Sequence, residues 1–277
     1  MFSKLEKKIG KSYLKKKMID EIRSRELLEQ VSKGSLLLHY KNVHSQIGQD
    51  GILEEIFKRI GIKRGFFCEF GAWDGVYLSN CRKLFEEGWS GVFIEADKKK
   101  FSDLQYHYKD CDHITCISSF VGAPKNKIPG DPLHIILNNN GIKPESVDFL
   151  SIDVDGCDLE IFEEINFQPK VVLLEGGLHF KPEVEGRATD KVRNTFHHPL
   201  KEIIKAAKHF EYVPVCFLHD LYLVRKDLSK QFNKFDVAKL YSDSYLGAPK
   251  WLRLKMDDAK VNKTLKKEQM RLLSNKR

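Results

Sequence analysis

Residues 65–75 read Gly-Phe-Phe-Cys-Glu-Phe-Gly-Ala-Trp-Asp-Gly and are the most informative part of the sequence about the fold. An apolar run that ends in an acid and then breaks at glycine is typical of a buried parallel strand that leads into a ligand-binding loop. Glycine allows a sharp turn and a close approach of the backbone to a ligand, and the amides of the next helix face the same way. The stretch therefore predicts a strand over 65–70 followed by a binding loop.

A second acid follows at a matching position. The apolar segment 91–94 ends in Glu95, which lies 26 residues after Glu69. Nucleotide-binding folds use a carboxylate at the end of the second strand to hold ribose hydroxyls. Two strands that end in acids, with a helix between them, predict a nucleoside cofactor.

Strand and helix patterns alternate along the rest of the chain, which is the pattern of a parallel sheet covered by helices on both faces. A tight link at 218–220 makes the last two strands antiparallel. The predicted fold is α/β: a doubly wound, mostly parallel, seven-stranded Rossmann-like sheet with an antiparallel C-terminal hairpin. The predicted strands are 65–70, 91–96, 113–117, 147–153, 171–175, 212–217 and 221–225, and the predicted helices are about 46–60, 79–87, 98–108, 131–139, 157–165 and 199–209, with Asp131 as N-cap and Pro132 as first residue of the fourth.

Charge divides the chain into three parts. Residues 1–33 carry ten Lys and Arg against five acids, residues 249–277 carry ten against three, and the middle is acidic. We predict a basic helical N-terminal extension (1–42), one catalytic domain (43–228) and a basic, mainly helical C-terminal extension (229–277). The N-terminal helix would suit a homodimer contact, and the basic ends would suit an anionic surface, although such charge runs are often only solvated faces.

Composition limits the compartment. The six cysteines form no C-x-x-C pair and predict reduced thiols. The sequence shows no apolar stretch of about 20 residues, so we expect no transmembrane segment and a cytoplasmic protein.

Four segments jointly carry a resemblance: 45–50 (SQIGQD), 69–80 (EFGAWDGVYLSN), 88–95 (GWSGVFIE) and 148–156 (DFLSIDVDG). In this order the chain resembles the FkbM-type family of S-adenosylmethionine-dependent methyltransferases, which have the class I methyltransferase fold. The strand at 220–226 is similar to the last strand of that family, so the resemblance covers about 43–228. One departure is Trp73, which stands where the usual methyltransferase loop has glycine.

The resemblance implies a site for S-adenosylmethionine. Glu69 and the Gly71 turn would face the methionine part, and Glu95 would accept hydrogen bonds from both ribose hydroxyls. Structural roles, with Glu69 as a capping acid, Glu95 as a surface residue and Ser45 as a helix cap, are the alternatives. The implied cofactor-binding residues are Glu69, Gly71, Ala72, Asp74, Gly75, Asn80, Glu95, Ala96, Ser118, Gln49 and Asp50.

The acidic turn after the fourth strand is the candidate for chemistry. Methyl transfer to a hydroxyl needs an aligned acceptor and a base, or a metal that lowers the hydroxyl pKa. We predict Asp153, Asp155 and His179 as catalytic residues, and Asp153, Asp155 and Glu175 as ligands of Mg²⁺ or Mn²⁺. The pair His197-His198 is more typical of an exposed loop.

The expected activity is O-methylation of a hydroxyl, most simply of a sugar or glycoconjugate. The long polar segment 176–198 would form a lid or binding loop, with its mixed charges and the aromatics Phe180 and Phe196 recognising a small-molecule or glycan acceptor. The alternatives are a nucleotide or nucleic-acid methyltransferase and a non-catalytic cofactor-binding or interaction module. A nicotinamide-dependent enzyme is disfavoured because the G-x-G-x-x-G spacing is absent.

Overall fold

The computed structural model of the chain describes residues 30–154 and 156–275. Its strands form one seven-stranded sheet. In chain order they are β1 (Phe66–Phe70), β2 (Ser90–Glu95), β3 (Ile114–Ser118), β4 (Phe149–Ile152), β5 (Val171–Glu175), β6 (Tyr212–Leu218) and β7 (Asp220–Arg225).

Helices connect and flank the strands. They are α1 (Gln49–Ile60), α2 (Arg82–Glu86), α3 (Lys98–Tyr108), α4 (Leu133–Asn139), α5 (Asp158–Glu164), α6 (Asp190–Phe196), α7 (Leu200–His209), α8 (Val237–Gly247), α9 (Lys250–Val261) and α10 (Lys263–Ser274).

The strand order confirms the predicted fold. The order is β3-β2-β1-β4-β5-β7-β6, with β1 to β5 parallel and β7 antiparallel to both β5 and β6. A single residue, His219, joins β6 to β7, so the chain must reverse there. This is the class I methyltransferase fold.

The central strands are apolar because helices cover both faces of the sheet. Every residue of β4 and β5 is buried, which requires the continuous apolar runs seen in the sequence. Trp89 is fully buried, and its ring centroid lies 4.6 Å from that of Phe57 on α1. The core thus fixes β1 and β2, whose ends carry Glu69 and Glu95.

Three predicted helix boundaries were wrong, each for a local reason. Helix α1 begins at Gln49 because Gly48, its N-cap, has a left-handed backbone. Helix α2 begins only at Arg82 because the backbone N–H groups of residues 80 and 81 donate to the Glu69 carboxylate. Helix α4 has Pro132 as its N-cap, and Asp131 instead forms a parallel bridge with Val121.

The segment 176–198 is not only a polar loop. It contains α6, and it packs against α10 from the C-terminal extension. A second apolar cluster joins the two parts; its members are Phe180, Val184, Ala188, Val192, Leu265 and Leu272. Phe180 is fully buried there, so the prediction that its ring faces an acceptor was wrong.

The C-terminal helices also join the main core, through Leu240, Ala248, Leu252 and Met256. The predicted dimer contact falls mostly on residues 1–29, which lie outside the described residues, and the domain boundaries stay predictions. Among the residues described, no helix is both long and apolar enough to cross a membrane.

Candidate active site

The buried carboxylate of Glu69 organises the first loop. Its Oε2 accepts a hydrogen bond from Ser79 Oγ at 2.7 Å and one from Cys81 N at 3.2 Å, and its Oε1 accepts one from Asn80 N at 2.9 Å. Asn80 in turn donates from Nδ2 to Ser151 Oγ on β4 at 3.0 Å. Burial raises the pKa of Glu69 to about 7, although these donors favour its charged form. The side chain therefore has a structural role whatever else it binds.

The turn after β1 lies against the end of β4. Gly71 has a φ of 73°, and a Cβ added to it would overlap the carbonyl oxygen of Asp153. Ala72 is buried and donates its N–H to Ile94 O at 3.2 Å. A side chain at position 71 would push the two strand ends apart, so glycine is required by both space and backbone conformation.

Asp74 and Gly75 shape the rest of this loop. Asp74 Oδ1 accepts from the backbone N–H groups of Val76 at 2.9 Å and Tyr77 at 2.7 Å. Gly75 has a φ of 70°, and its carbonyl accepts from the hydroxyl of Tyr108 at 2.6 Å. The carboxylate of Asp74 thus closes a turn.

Glu95 lies at the end of β2 and is 6% exposed. Its Oε2 accepts from Trp73 N and its Oε1 from Asp97 N, both at 2.8 Å. An ionised carboxylate has about four acceptor positions, so roughly two remain for a ligand. The alternative that Glu95 is a surface residue was wrong, because it is buried and holds the β1 loop.

The predicted neighbours of Glu95 lie on the same edge of the sheet. Ser118 is in register with Glu95 on the adjoining strand β3, and Ser118 and Ala96 are both exposed. The structure therefore brings Glu95, Ala96 and Ser118 together.

Gln49 and Asp50 separate into two roles. Asp50 Oδ2 accepts from the backbone N–H groups of residues 43, 44 and 45 and from Ser45 Oγ at 2.7 Å, which fixes the loop before α1. Ser45 is not the N-cap residue of α1, although its Oγ accepts from Asp50 N at 3.0 Å. Gln49 donates from Nε2 to Asp220 Oδ2 at 2.7 Å and so belongs to a different group of side chains.

That group is an acidic cluster at the carboxyl ends of β4 and β5, which we define as Asp153, Asp158, Glu175 and Asp220 with His197 and His219. Because β7 is antiparallel to β5, its first residue, Asp220, pairs with the last residue of β5, Glu175. Two imidazoles connect the acids. His197 lies 3.5 Å (Nδ1) from Asp158 Oδ2 and 3.3 Å (Nε2) from Glu175 Oε1.

His219 makes the second connection. Its Nε2 lies 3.4 Å from Glu175 Oε1 and its Nδ1 3.3 Å from Asp220 Oδ1. His219 is the single residue that links β6 to β7, and its φ is 63°, although it is not a glycine. A positive φ at such a residue is unfavourable and is retained where the surroundings impose it.

Negative charge accumulates in this cluster. The pKa of Asp153 is raised to about 6, first by the protein atoms around its carboxyl group and then by the charges of Asp220 and Asp158. The pKa of Glu175 is raised well above its usual value, by burial and then by the charge of Asp153. Asp153 as a residue is nevertheless exposed, so the cluster opens to solvent on its side.

Three catalytic candidates fall in different places. Asp153 lies in the acidic cluster, and Asp155 lies outside the described residues. His179 is half-buried, and its ring centroid lies 5.3 Å from that of Phe196. Of the predicted metal ligands, Asp153 and Glu175 are neighbours.

The prediction that His197 and His198 lie in an exposed loop was wrong. The side chain of His197 is 14% exposed and that of His198 is 2% exposed. His198 Nε2 lies 2.8 Å from Glu160 Oε1. Helix α6 turns the chain back over the end of β5, and a bridge between Gly177 and Pro199 fixes that return.

Sequence reasoning missed four members of the cluster: Asp158, His197, His219 and Asp220. Two signals were present. Asp158 begins a helix directly after the acidic turn, and Asp220 begins a strand that a tight link makes antiparallel. Nothing in the local sequence of His197 points to β5.

Comparison with known proteins finds similarity only to solved structures. No protein-family model matches the chain, and no curated protein matches it. Similar solved structures include several methyltransferases. A putative caffeoyl-CoA O-methyltransferase from Staphylococcus aureus has 13% identity and a TM-score of 0.43, with 76% of this chain and 98% of that chain covered.

Two further structures were solved with cofactor ligands. Phosphoethanolamine N-methyltransferase 2 from Haemonchus contortus, in complex with S-adenosyl-L-methionine, has 16% identity and a TM-score of 0.36, covering 58% of this chain and 36% of that one. Geranyl diphosphate C-methyltransferase from Streptomyces coelicolor A3(2), with Mg²⁺ and S-adenosyl-L-homocysteine, has 13% identity and a TM-score of 0.36, covering 58% and 57%. The chain thus spans about a third and somewhat over half of these two proteins, and likeness at this level does not identify a substrate.

Proposed function

We propose that the protein is an S-adenosylmethionine-dependent O-methyltransferase of the FkbM type that methylates a hydroxyl of a sugar or glycoconjugate. The observation that carries the proposal is the pair of buried acids, Glu69 and Glu95, at the ends of adjacent parallel strands. Ligands of open α/β sheets bind at this edge. A glycine turn beside the pair leaves the backbone accessible.

The residues at this edge fit the cofactor. Glu95 retains acceptor positions for two ribose hydroxyls beyond its two backbone donors. Gly71 is exposed, and because it has no side chain the turn can lie directly against the Asp153 carbonyl at the end of β4. Ala72, Asp74, Gly75, Asn80, Ala96 and Ser118 form or support the same rim. Asp50 holds the loop before α1, and Gln49 donates to Asp220 in the acidic cluster.

The acidic cluster would serve the acceptor. S-adenosylmethionine supplies an electrophilic methyl group when bound. The acceptor oxygen would form the new bond to that methyl carbon as the carbon–sulfur bond breaks, and Asp153 would take the hydroxyl proton. The exposed position of Asp153 at the end of β4 supports this role. Asp155 and His179 stay predicted catalytic residues.

Recognition of the acceptor cannot rest on all of the charges in segment 176–198. Arg187 forms ion pairs with Glu160 and Glu163, and Lys201 pairs with Glu185 at 2.8 Å. These pairs fix the segment to α5 and α7. An acceptor would therefore be recognised by side chains of the segment other than Arg187 and Glu185.

A methyl-transfer assay with isotopically labelled S-adenosylmethionine and a panel of glycans, nucleotide sugars and nucleotides tests the proposal. We expect label in a carbohydrate hydroxyl. Asp153→Asn should lower kcat by about 100-fold or more while cofactor affinity changes little, because general base catalysis contributes factors of about 10² to 10⁴. Glu145→Gln, an exposed acid before β4, is the control. Label found only in nucleotides would contradict the carbohydrate assignment, and unchanged turnover in Asp153→Asn would remove Asp153 from the mechanism.

A further inference from the structure

We propose that Asp158, Glu175 and His197 bind one divalent cation, with Mn²⁺ as the ion that suits them best. The inference deepens the proposed function, since such an ion would lie beside the acceptor, but its binding can be measured without cofactor or acceptor. It replaces two of the predicted ligands and keeps Glu175.

The three side chains form a compact donor set. One oxygen or nitrogen atom from each lies within 4.8 Å of the others. Two ligand atoms that each lie about 2.2 Å from one cation are at most about 4.4 Å apart. Small side-chain rotations would therefore bring all three atoms to bonding distance of one ion.

A second observation points to a missing positive partner. Glu175 is 7% exposed, and its Oε2 is buried with no hydrogen-bond donor; the carboxyl group of Asp153 lies beside it and, when ionised, adds a second negative charge. His197 Nδ1 is likewise buried without a hydrogen bond. Buried polar atoms are almost always satisfied, and an unpaired carboxylate oxygen is costly to bury. A cation at this position would satisfy both groups.

The net charge of the acidic cluster also favours a bound cation. Four carboxyl groups, those of Asp153, Asp158, Glu175 and Asp220, meet two imidazoles. Within the described residues, the ion pairs of Asp158, Glu175 and Asp220 are with His197 and His219. Even with both imidazoles protonated, four ionised carboxylates would leave two negative charges, which is the charge that a divalent cation offsets.

The ligands are held in place by a second layer of contacts. Asp158 Oδ1 accepts from Val154 N and Oδ2 from Gly156 N, both at 2.9 Å. The His197 backbone N–H donates to Arg193 O at 2.8 Å, and the Arg193 guanidinium donates to Gly156 O at 3.2 Å. Such outer contacts orient metal ligands.

The chemistry of the donors selects the ion. Two carboxylates and one imidazole are harder than the Cys-rich sets of structural zinc sites and softer than the all-oxygen sets that Mg²⁺ prefers. Three protein ligands leave coordination positions open. The exposed side of the cluster, at Asp153, would let an acceptor hydroxyl occupy one of them.

The test is calorimetric titration of the full, chelator-treated chain with MnCl₂ in the absence of cofactor. Electron paramagnetic resonance of the same samples detects the bound Mn²⁺. We expect one site per chain and at least a tenfold loss of affinity in Asp158→Asn, Glu175→Gln and His197→Gln. Glu145→Gln should bind as the wild type does. Circular dichroism shows whether each variant folds. His197 is the least buried of the three residues, so His197→Gln still tests the site if an acid variant does not fold.

Absence of Mn²⁺ binding by the wild type, or equal binding by all three variants, would overturn the site. The same samples titrated with S-adenosylhomocysteine separate the two proposals. Cofactor binding without Mn²⁺ binding overturns the cation site alone, and Mn²⁺ binding without cofactor binding upholds the cation site while it contradicts the proposed function.

Discussion

At the scale of single residues, the turn after β1 is the most constrained position of the candidate site. Gly71 combines a left-handed backbone with direct contact to the β4 end, so the two strands depend on it for their spacing. Gly141 has a nearly equal φ of 72°, but an added Cβ would meet nothing within 4 Å. Comparing substitutions at the two glycines therefore distinguishes the cost of a left-handed backbone from the cost of steric overlap.

We expect Gly71→Ala to lower the free energy of unfolding by about 2–4 kcal/mol, and Gly141→Ala by only about 1 kcal/mol, since a left-handed alanine alone costs about that much. Denaturant unfolding followed by circular dichroism measures both. Equal losses in the two variants would show that the overlap with Asp153 O is relieved without cost.

The residues of the site differ in how far sequence could predict them. Glu69 and Glu95 were placed correctly at strand ends because each terminates an apolar run beside a turn. Asp220 required knowledge that β7 lies between β5 and β6, and His197 required the path of a segment that returns across β5. Strand ends follow from local patterns, whereas these contacts follow from tertiary topology.

At the scale of elements, α10 holds the segment that carries His197. Leu272 packs with Phe180 and Val184 in the second cluster, while the next residue, Leu273, is 38% exposed. Thr189 N also donates to Glu268 Oε1 on α10 at 2.7 Å. The C-terminal extension, which the sequence predicted only to be basic and mainly helical, thus packs against the segment that carries His197.

We expect Leu272→Ala to weaken this contact by about 2–4 kcal/mol, the usual cost of deleting a buried leucine side chain. Amide hydrogen exchange should rise at residues 184–193 and on α10, and change little on β1 and β4. Leu273→Ala, its exposed neighbour, should leave exchange unchanged. Equal effects of the two variants would contradict a support role for the buried face of α10.

At the scale of the whole molecule, the proposed cofactor residues and the acidic cluster lie on one edge of the sheet. The ends of β1 and β2 carry the proposed cofactor acids, and the ends of β4, β5 and the start of β7 carry the acidic cluster. The doubly wound sheet followed from the alternation of strands and helices, and the antiparallel hairpin from the tight link before β7, whereas the position of β7 between β5 and β6 came from the structure. The packing of the C-terminal helices did not follow from the sequence, because it depends on apolar residues spaced among many charges.

Calorimetric titration of the whole chain with S-adenosylhomocysteine, beside Glu95→Ala and the control Glu145→Gln, shows whether the cofactor binds at this edge of the sheet. We predict one site of micromolar affinity in the wild type and the control, and at least a tenfold weaker one in Glu95→Ala, which corresponds to about 1.4 kcal/mol or more. No binding by the folded wild type, or equal affinity in Glu95→Ala, would contradict a cofactor site at this edge.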